Sequence, residues 1–255
     1  MILTTFVVQA APAPRVVATP PADAGRGLVR VSDTEIRHYA GKGATQYLRS
    51  LDNGETWALA DLPASYPPAT CLAKESPAIA RNPNTGEFLR VEPLYRKKPG
   101  EGMYRSKGGL DGRWIRIEDE AGKPILPSGI LRSPIWVNNN TRLLIPGHGG
   151  GCFTGFSDDD GASWSRSNVL QAPAHRIGGV HAGTRWNHGM VEATIVELRD
   201  TRLWMLARTA QDQHYESFSE DFGATWSPAK PSRFWGTITM PTLHRLRDGR
   251  LLFLW

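Results

Sequence analysis

With 255 residues, a net charge of +5 and two cysteines, the chain excludes several classes at once. Cys71 and Cys152 are too few for a disulfide framework and lack metal-ligand spacing, though whether they pair is left open; no segment is long and apolar enough to span a bilayer. The positive balance permits attraction to acidic partners, but the Lys and Arg residues are dispersed rather than clustered beside stacking aromatics, so nucleic acid is not an expected partner.

In chain order, Met1 to Ala13 is an apolar run ending in small residues, similar to the tail of a secretory signal peptide with Val8-Gln9-Ala10 as the cleavage site. This predicts a secreted or periplasmic protein, with residues 1–25 as signal-like segment and linker and 26–255 as the folded part, beginning near Gly27. Ser50 to Trp57, Ser157 to Trp164 and Ser219 to Trp226 then spell the same turn, Ser-x-Asp-x-Gly-x-Thr/Ser-Trp. Chance would give such a match on the order of once per million positions, so the copies are an internal repeat. A degenerate copy runs from Ser106 to Trp114, and the four tryptophans Trp57, Trp114, Trp164 and Trp226 are 57, 50 and 62 residues apart.

Two further landmarks recur in phase. Opening strands are expected at 76–80, 133–137, 192–198 and 239–245, and second strands follow Gly86-Glu87-Phe88, Thr141-Arg142-Leu143, Thr201-Arg202-Leu203 and Gly249-Arg250-Leu251. Short strands with regular turn signals and no helical stretch make the chain all-β, and four strands per repeat make a β-propeller blade. A period of about 56 residues gives about four and a half blades in 255 residues. Because a propeller closes its ring to remove strand edges, the chain is expected to be a C-terminally truncated piece of a six- or seven-bladed protein, a five-bladed ring being the alternative.

The spelling of the turn has a physical reason. An Asp carboxylate two residues before Gly can accept the N–H groups of a tight turn, the Gly supplies a positive φ, and the Trp buries its ring against a neighbouring unit. Asp52, Asp159 and Asp221 are therefore read as structural staples rather than metal ligands or catalytic acids; no metal and no cofactor are expected.

The motif resembles the Asp-box of sialidases and related β-propellers. Within a blade of that topology the Asp-box joins the third strand to the fourth, so the loops between second and third strands, and those between blades, share the opposite face over the central channel. Arg96, His148, Asp212 and His214 fall in the first kind of loop, and Arg132, His175, Arg185, His188 and Arg233 in the second. Cations outnumber carboxylates there, the balance expected for an anionic glycan, because guanidinium groups bind carboxylates bidentately.

The sharpest constellation is Glu192 with Arg208, 16 residues apart. It is similar to the sialidase pattern in which a Glu activates a tyrosine nucleophile and an Arg joins a triad that holds the substrate carboxylate. The resemblance implies Glu192 as a catalytic base and Arg208 as a substrate-binding residue; from their place on the loop face, Arg132, Arg185, His188, Asp212 and His214 are read as further substrate-binding residues. A tyrosine nucleophile needs such a carboxylate base. The sialidase Arg-Ile-Pro motif is absent from Gly25 to Val31, and the loop Tyr39 to Thr45 lacks the acidic Asp; the Tyr and a further Arg would fall beyond Trp255. The resemblance implies an exo-glycosidase that removes a terminal acidic sugar. Three alternatives stay open: Glu192 and Arg208 as a plain rim salt bridge, a uronate lyase using His188 or His214 as in propellers that cleave rhamnose-uronate linkages, and a noncatalytic glycan-binding propeller.

Overall fold

Strand pairing follows chain order. The computed structural model describes Val16 and residues 24–40, 46–61, 78–92, 102–118, 134–173, 189–236, 238–246 and 248–255. The first sheet holds β1 (Ala24–Arg30), β2 (Ile36–Ala40), β3 (Gln46–Ser50) and β4 (Ala58–Asp61), and the second β5 (Ala78–Arg81), β6 (Phe88–Glu92), β7 (Gly102–Ser106) and β8 (Trp114–Ile117). The third holds β9 (Ile135–Val137), β10 (Arg142–His148), β11 (Cys152–Ser157) and β12 (Ser165–Arg166), and the fourth β13 (Met190–Glu197), β14 (Leu203–Thr209), β15 (Gln213–Ser219) and β16 (Lys230–Trp235). β17 (Thr242–Arg245) and β18 (Leu251–Leu254) pair as a fifth sheet. Neighbouring strands are antiparallel throughout, as short hairpin connections require.

β5, β9, β13 and β17 sit at the four expected opening strands, and the repeat turns join third strands to fourth, as the spacing predicts. Ala24, assigned by sequence to the linker, already pairs with Ala40.

The core lies between sheets rather than within one. Val29 and Tyr47 of the first sheet pack with Ile79 and Phe88 of the second; Val91 and Met103 of the second pack with Ile145 of the third. Val137, Leu144 and Cys152 of the third meet Met190, Ile195, Leu203 and Met205 of the fourth, and Val196 and Leu206 of the fourth meet Leu243 of the fifth. Sheets that each bury one face on the predecessor and one on the successor are blades, and the fold is an all-β propeller of four-stranded antiparallel blades.

The repeat turn is a closed hydrogen-bond circuit. In the first copy the Gly54 N–H donates to Ser50 Oγ (2.7 Å), while Asp52 accepts the Thr56 N–H (2.9 Å) and the Thr56 hydroxyl (2.5 Å). Asp159 and Asp221 repeat this with Ser163 and Thr225. The Thr56 hydroxyl and N–H and the Ser50 hydroxyl stabilise the charged form of Asp52 and hold its pKa down at about 2. Ser163 and Ser157 lower that of Asp159. For Asp221 burial opposes the shift, but the hydrogen bonds from Thr225 and Ser219 outweigh it.

The turns also lock each blade to the one before it. Asp111, in the degenerate copy, accepts Arg37 Nη1 of the first blade at 2.6 Å. Asp160 accepts Asn82 and Arg105 of the second blade, at its side chain and carbonyl respectively. In the fourth blade the Gly223 carbonyl accepts the Thr154 hydroxyl of the third (2.6 Å), Thr154 Oγ1 in turn accepts Trp226 Nε1 (2.9 Å), and Arg142 Nη1 donates to the Asp221 carbonyl (3.0 Å). Gly223 has φ of 87°, and a Cβ there would lie 2.2 Å from Leu144 Cδ1, so the glycine serves both the turn and the approach of the blades.

Gly223→Ala should therefore cost about 2 kcal/mol or more, from backbone strain plus overpacking, read as a lower urea midpoint. The staple carboxylates titrate lower folded than their ordinary value of 3.8. Their stabilisation is complete above that value and disappears as pH falls through the folded values. The thermal midpoint should drop between about pH 4 and pH 2, and a combined Asp52→Asn, Asp159→Asn variant should show a shallower drop; an unchanged slope would contradict the staple role.

Candidate active site

The start of β13, the end of β14 and the start of β15 share the rim opposite the repeat turns, because Met190 pairs with Thr209 and Ala207 with Tyr215. β13 enters this rim through Gly189, at φ of 68°, and then bulges: Val191 faces Arg208 but Thr194 faces Leu206. Within the bulge Glu192 adopts φ of 54°, a left-handed conformation that is uncommon for a residue with a long side chain and tends to mark functional sites. Glu192 Oε2 meets Arg208 Nη1 at 2.7 Å, and the two side chains are 19% and 18% exposed. That leaves the pair sheltered yet open to a ligand from the rim.

The backbone of Glu192 is held from the neighbouring blade. Its N–H donates to Nδ1 of His148, the last residue of β10, at 3.3 Å. Cys152 pairs with His148 across the β10–β11 hairpin. Burial drives its thiol far above the ordinary range, and the nearby Glu192 charge pushes the same way. Held in the thiol form, it is inert as a nucleophile.

The structure thus brings Glu192 and Arg208 together, as their spacing predicts. Asp212 lies on the same rim, half-buried, its carbonyl accepting the Gly236 N–H at 3.0 Å. His214 is placed differently from the loop position read in the sequence. It is a β15 residue and fully buried. Its Nε2 lies 3.1 Å from the Thr239 carbonyl, and its ring stands edge-on to Phe253 at 5.7 Å. Facing only an acceptor, Nε2 carries the proton, and burial lowers the ring pKa and favours the neutral form. His214 is thus part of the packing between the fourth and fifth blades. Arg132, Arg185 and His188 lie outside the described residues.

His148 is the residue that sequence reasoning sorted onto this face without giving it a role. The available signal is the run Gly149-Gly150-Gly151 after it, a tight hairpin that fixes where the histidine sits. Among the described residues, no group of three His, Cys, Asp or Glu could hold a metal ion, and no helix is long and apolar enough to cross a membrane.

The family described as the BNR repeat-like domain matches residues 111–255, more than half of the chain, and the protein belongs to that family. Its fold is shared with a Dyadobacter fermentans protein of unknown function (19% identity, 90% of this chain and 74% of that one covered, TM-score 0.54). An endo-arabinase from Bacteroides thetaiotaomicron is also similar (14% identity, 93% and 89% covered, TM-score 0.54). So is the NanB sialidase from Streptococcus pneumoniae (12% identity, 93% of this chain, TM-score 0.53), of which the chain spans 57%. Among proteins of curated function, none matches the chain.

An ion pair this sheltered should be coupled in folding. A double-mutant cycle with Glu192→Gln and Arg208→Gln should give about 1–2 kcal/mol of interaction energy in urea denaturation. A value within error of zero would mean that the pair does not couple the two residues in folding.

Proposed function

We propose that the protein is a sialidase-like exo-glycosidase that hydrolyses a terminal acidic sugar from glycans, with Glu192 and Arg208 at the centre of its site. The observation that carries this reading is the 2.7 Å contact between them, made from a left-handed bulge at the channel rim. Glu192 orients the guanidinium through one of its five donors, leaving the planar fork to receive a substrate carboxylate in two parallel hydrogen bonds. The Glu192 carboxylate serves as the base that takes the proton from a tyrosine nucleophile. A neutral nucleophile suits an anionic substrate, since a carboxylate attacking the same carbon would be repelled by the sugar's own charge.

Arg132, Arg185, His188 and Asp212 are proposed as further contacts to the sugar. His214, enclosed by Phe253 and Gly236, is not, and this placement weighs against a lyase that uses it as the base. With the apolar N-terminal run and its cleavage-like Val8-Gln9-Ala10, the proposal extends to a secreted or periplasmic enzyme acting on acidic glycoconjugates.

The test is turnover by the purified full-length protein, tyrosine nucleophile included. It is given a fluorogenic sialoside, debranched arabinan as the neutral polysaccharide, and a rhamnose-capped glucuronate oligosaccharide followed by the ultraviolet absorbance of an unsaturated product. Release of sialic acid that falls by about a thousandfold in Glu192→Gln supports the proposal. Arg208→Ala should weaken sialoside recognition by about tenfold to a hundredfold, the worth of a charge-assisted pair of hydrogen bonds. Turnover of arabinan alone, or of the uronate with Glu192→Gln still active, would contradict it.

A further inference from the structure

The geometry points to His148 as the residue that positions Glu192: we infer that its Nδ1, accepting the Glu192 N–H from the adjacent blade, holds the bulge in the left-handed form that brings the carboxylate to Arg208. This rests on Glu192 being the reacting carboxylate proposed above.

Three observations converge. Glu192 is a non-glycine residue at φ of 54°, a conformation that costs of order 1 kcal/mol or more and persists only where its surroundings dictate it. The bulge breaks the β13–β14 ladder between Val191 and Thr194, and within it the Glu192 N–H donates to the His148 ring at 3.3 Å. The backbone that carries the ring is tightly held. His148 ends β10 before a hairpin in which Gly149 N–H donates to the Gly151 carbonyl at 3.0 Å. Gly150 and Gly151 take φ of 69° and 127°. A Cβ on Gly151 would stand 2.4 Å from the Leu170 carbonyl, backbone that cannot step aside. The hairpin is therefore fixed on the strap at 167–173, and His148 with it.

The chemistry of the contact defines the imidazole. To accept at Nδ1 the ring must be neutral with its proton on Nε2; a proton on Nδ1 would set two N–H groups against each other. An asparagine at the same place offers Oδ1 close to where Nδ1 stands and can accept the same N–H, whereas alanine cannot. Side-chain identity at 148 is thus separable from mere occupancy.

Nitrogen-15 NMR of the protein with labelled histidine, at a pH above the imidazole range, should show His148 Nδ1 without a proton; a protonated Nδ1 would overturn the inference. Crystal structures of the variants follow. In His148→Ala the φ of Glu192 should revert to the negative region and its carboxylate should leave Arg208, while His148→Asn should keep both. An alanine variant that folds and retains the left-handed Glu192 against Arg208 would also overturn it. On the sialoside, kcat should fall about tenfold or more in His148→Ala, with KM raised as Arg208 loses the partner that orients it, and both should return toward the parent values in His148→Asn. Absence of turnover by the full-length parent protein would defeat the glycosidase reading alone, because the tautomer and the variant conformations decide this inference without it.

Discussion

Everything in this chain depends on the way the turn between the third and fourth strands of one blade seats on the body of the blade before it. A propeller has no single core. Its apolar surface is buried in a series of seams, so each seam must be held in register. The repeat turn does this with backbone carbonyls and short side chains, as when Thr154 bridges the Gly223 carbonyl to the Trp226 indole. Asn168 adds a reciprocal pair with the Trp226 backbone, donating at 3.0 Å and accepting at 2.8 Å. Buried polar groups in a seam are satisfied only when the two blades meet in one way, which gives the packing its specificity.

The seam between the third and fourth blades shows what this rigidity makes possible at the other rim. On the turn side Phe222, between Asp221 and Gly223, is left-handed too, at φ of 55°, and the hydrogen-bond circuit around Asp221 holds it there. On the channel side the same two blades meet through His148 and a left-handed Glu192. Strain of that kind needs a scaffold that does not yield. A tightly interlocked seam, with Leu144, Met190, Leu203 and Met205 buried in it, supplies that scaffold. Stability concentrated at one end of the blades thus supports a strained carboxylate at the other.

The sequence was most legible where local chemistry repeats. Ser, Asp, Gly and Thr at fixed offsets can form only a few turns, so the three full copies gave the turn, the strand order and the blade period. The Glu192 and Arg208 pairing followed from topology, since the first strand of a blade begins at the rim where the second ends. What could not be read are the features made by two blades at once. Nothing local to His148 announces that it will meet a residue 44 positions later, and nothing in the β13 sequence marks its bulge. His214 read as a loop residue because Gln211 to Tyr215 follows directly on the second strand that ends at Arg208; β15 nevertheless starts at Gln213, and packing against Phe253 buries the ring.

The central claim is that the bulge and its guanidinium form an anion-reading site for a sugar. The most direct measurement is a crystal structure of the protein soaked with N-acetylneuraminic acid, with arabinose in a parallel soak. The account predicts the sialic acid carboxylate in a two-pronged contact with Arg208 at the rim, beside Glu192, and no arabinose at that position. A sialic acid bound elsewhere on the protein, or arabinose occupying the Arg208 rim in its place, would contradict it.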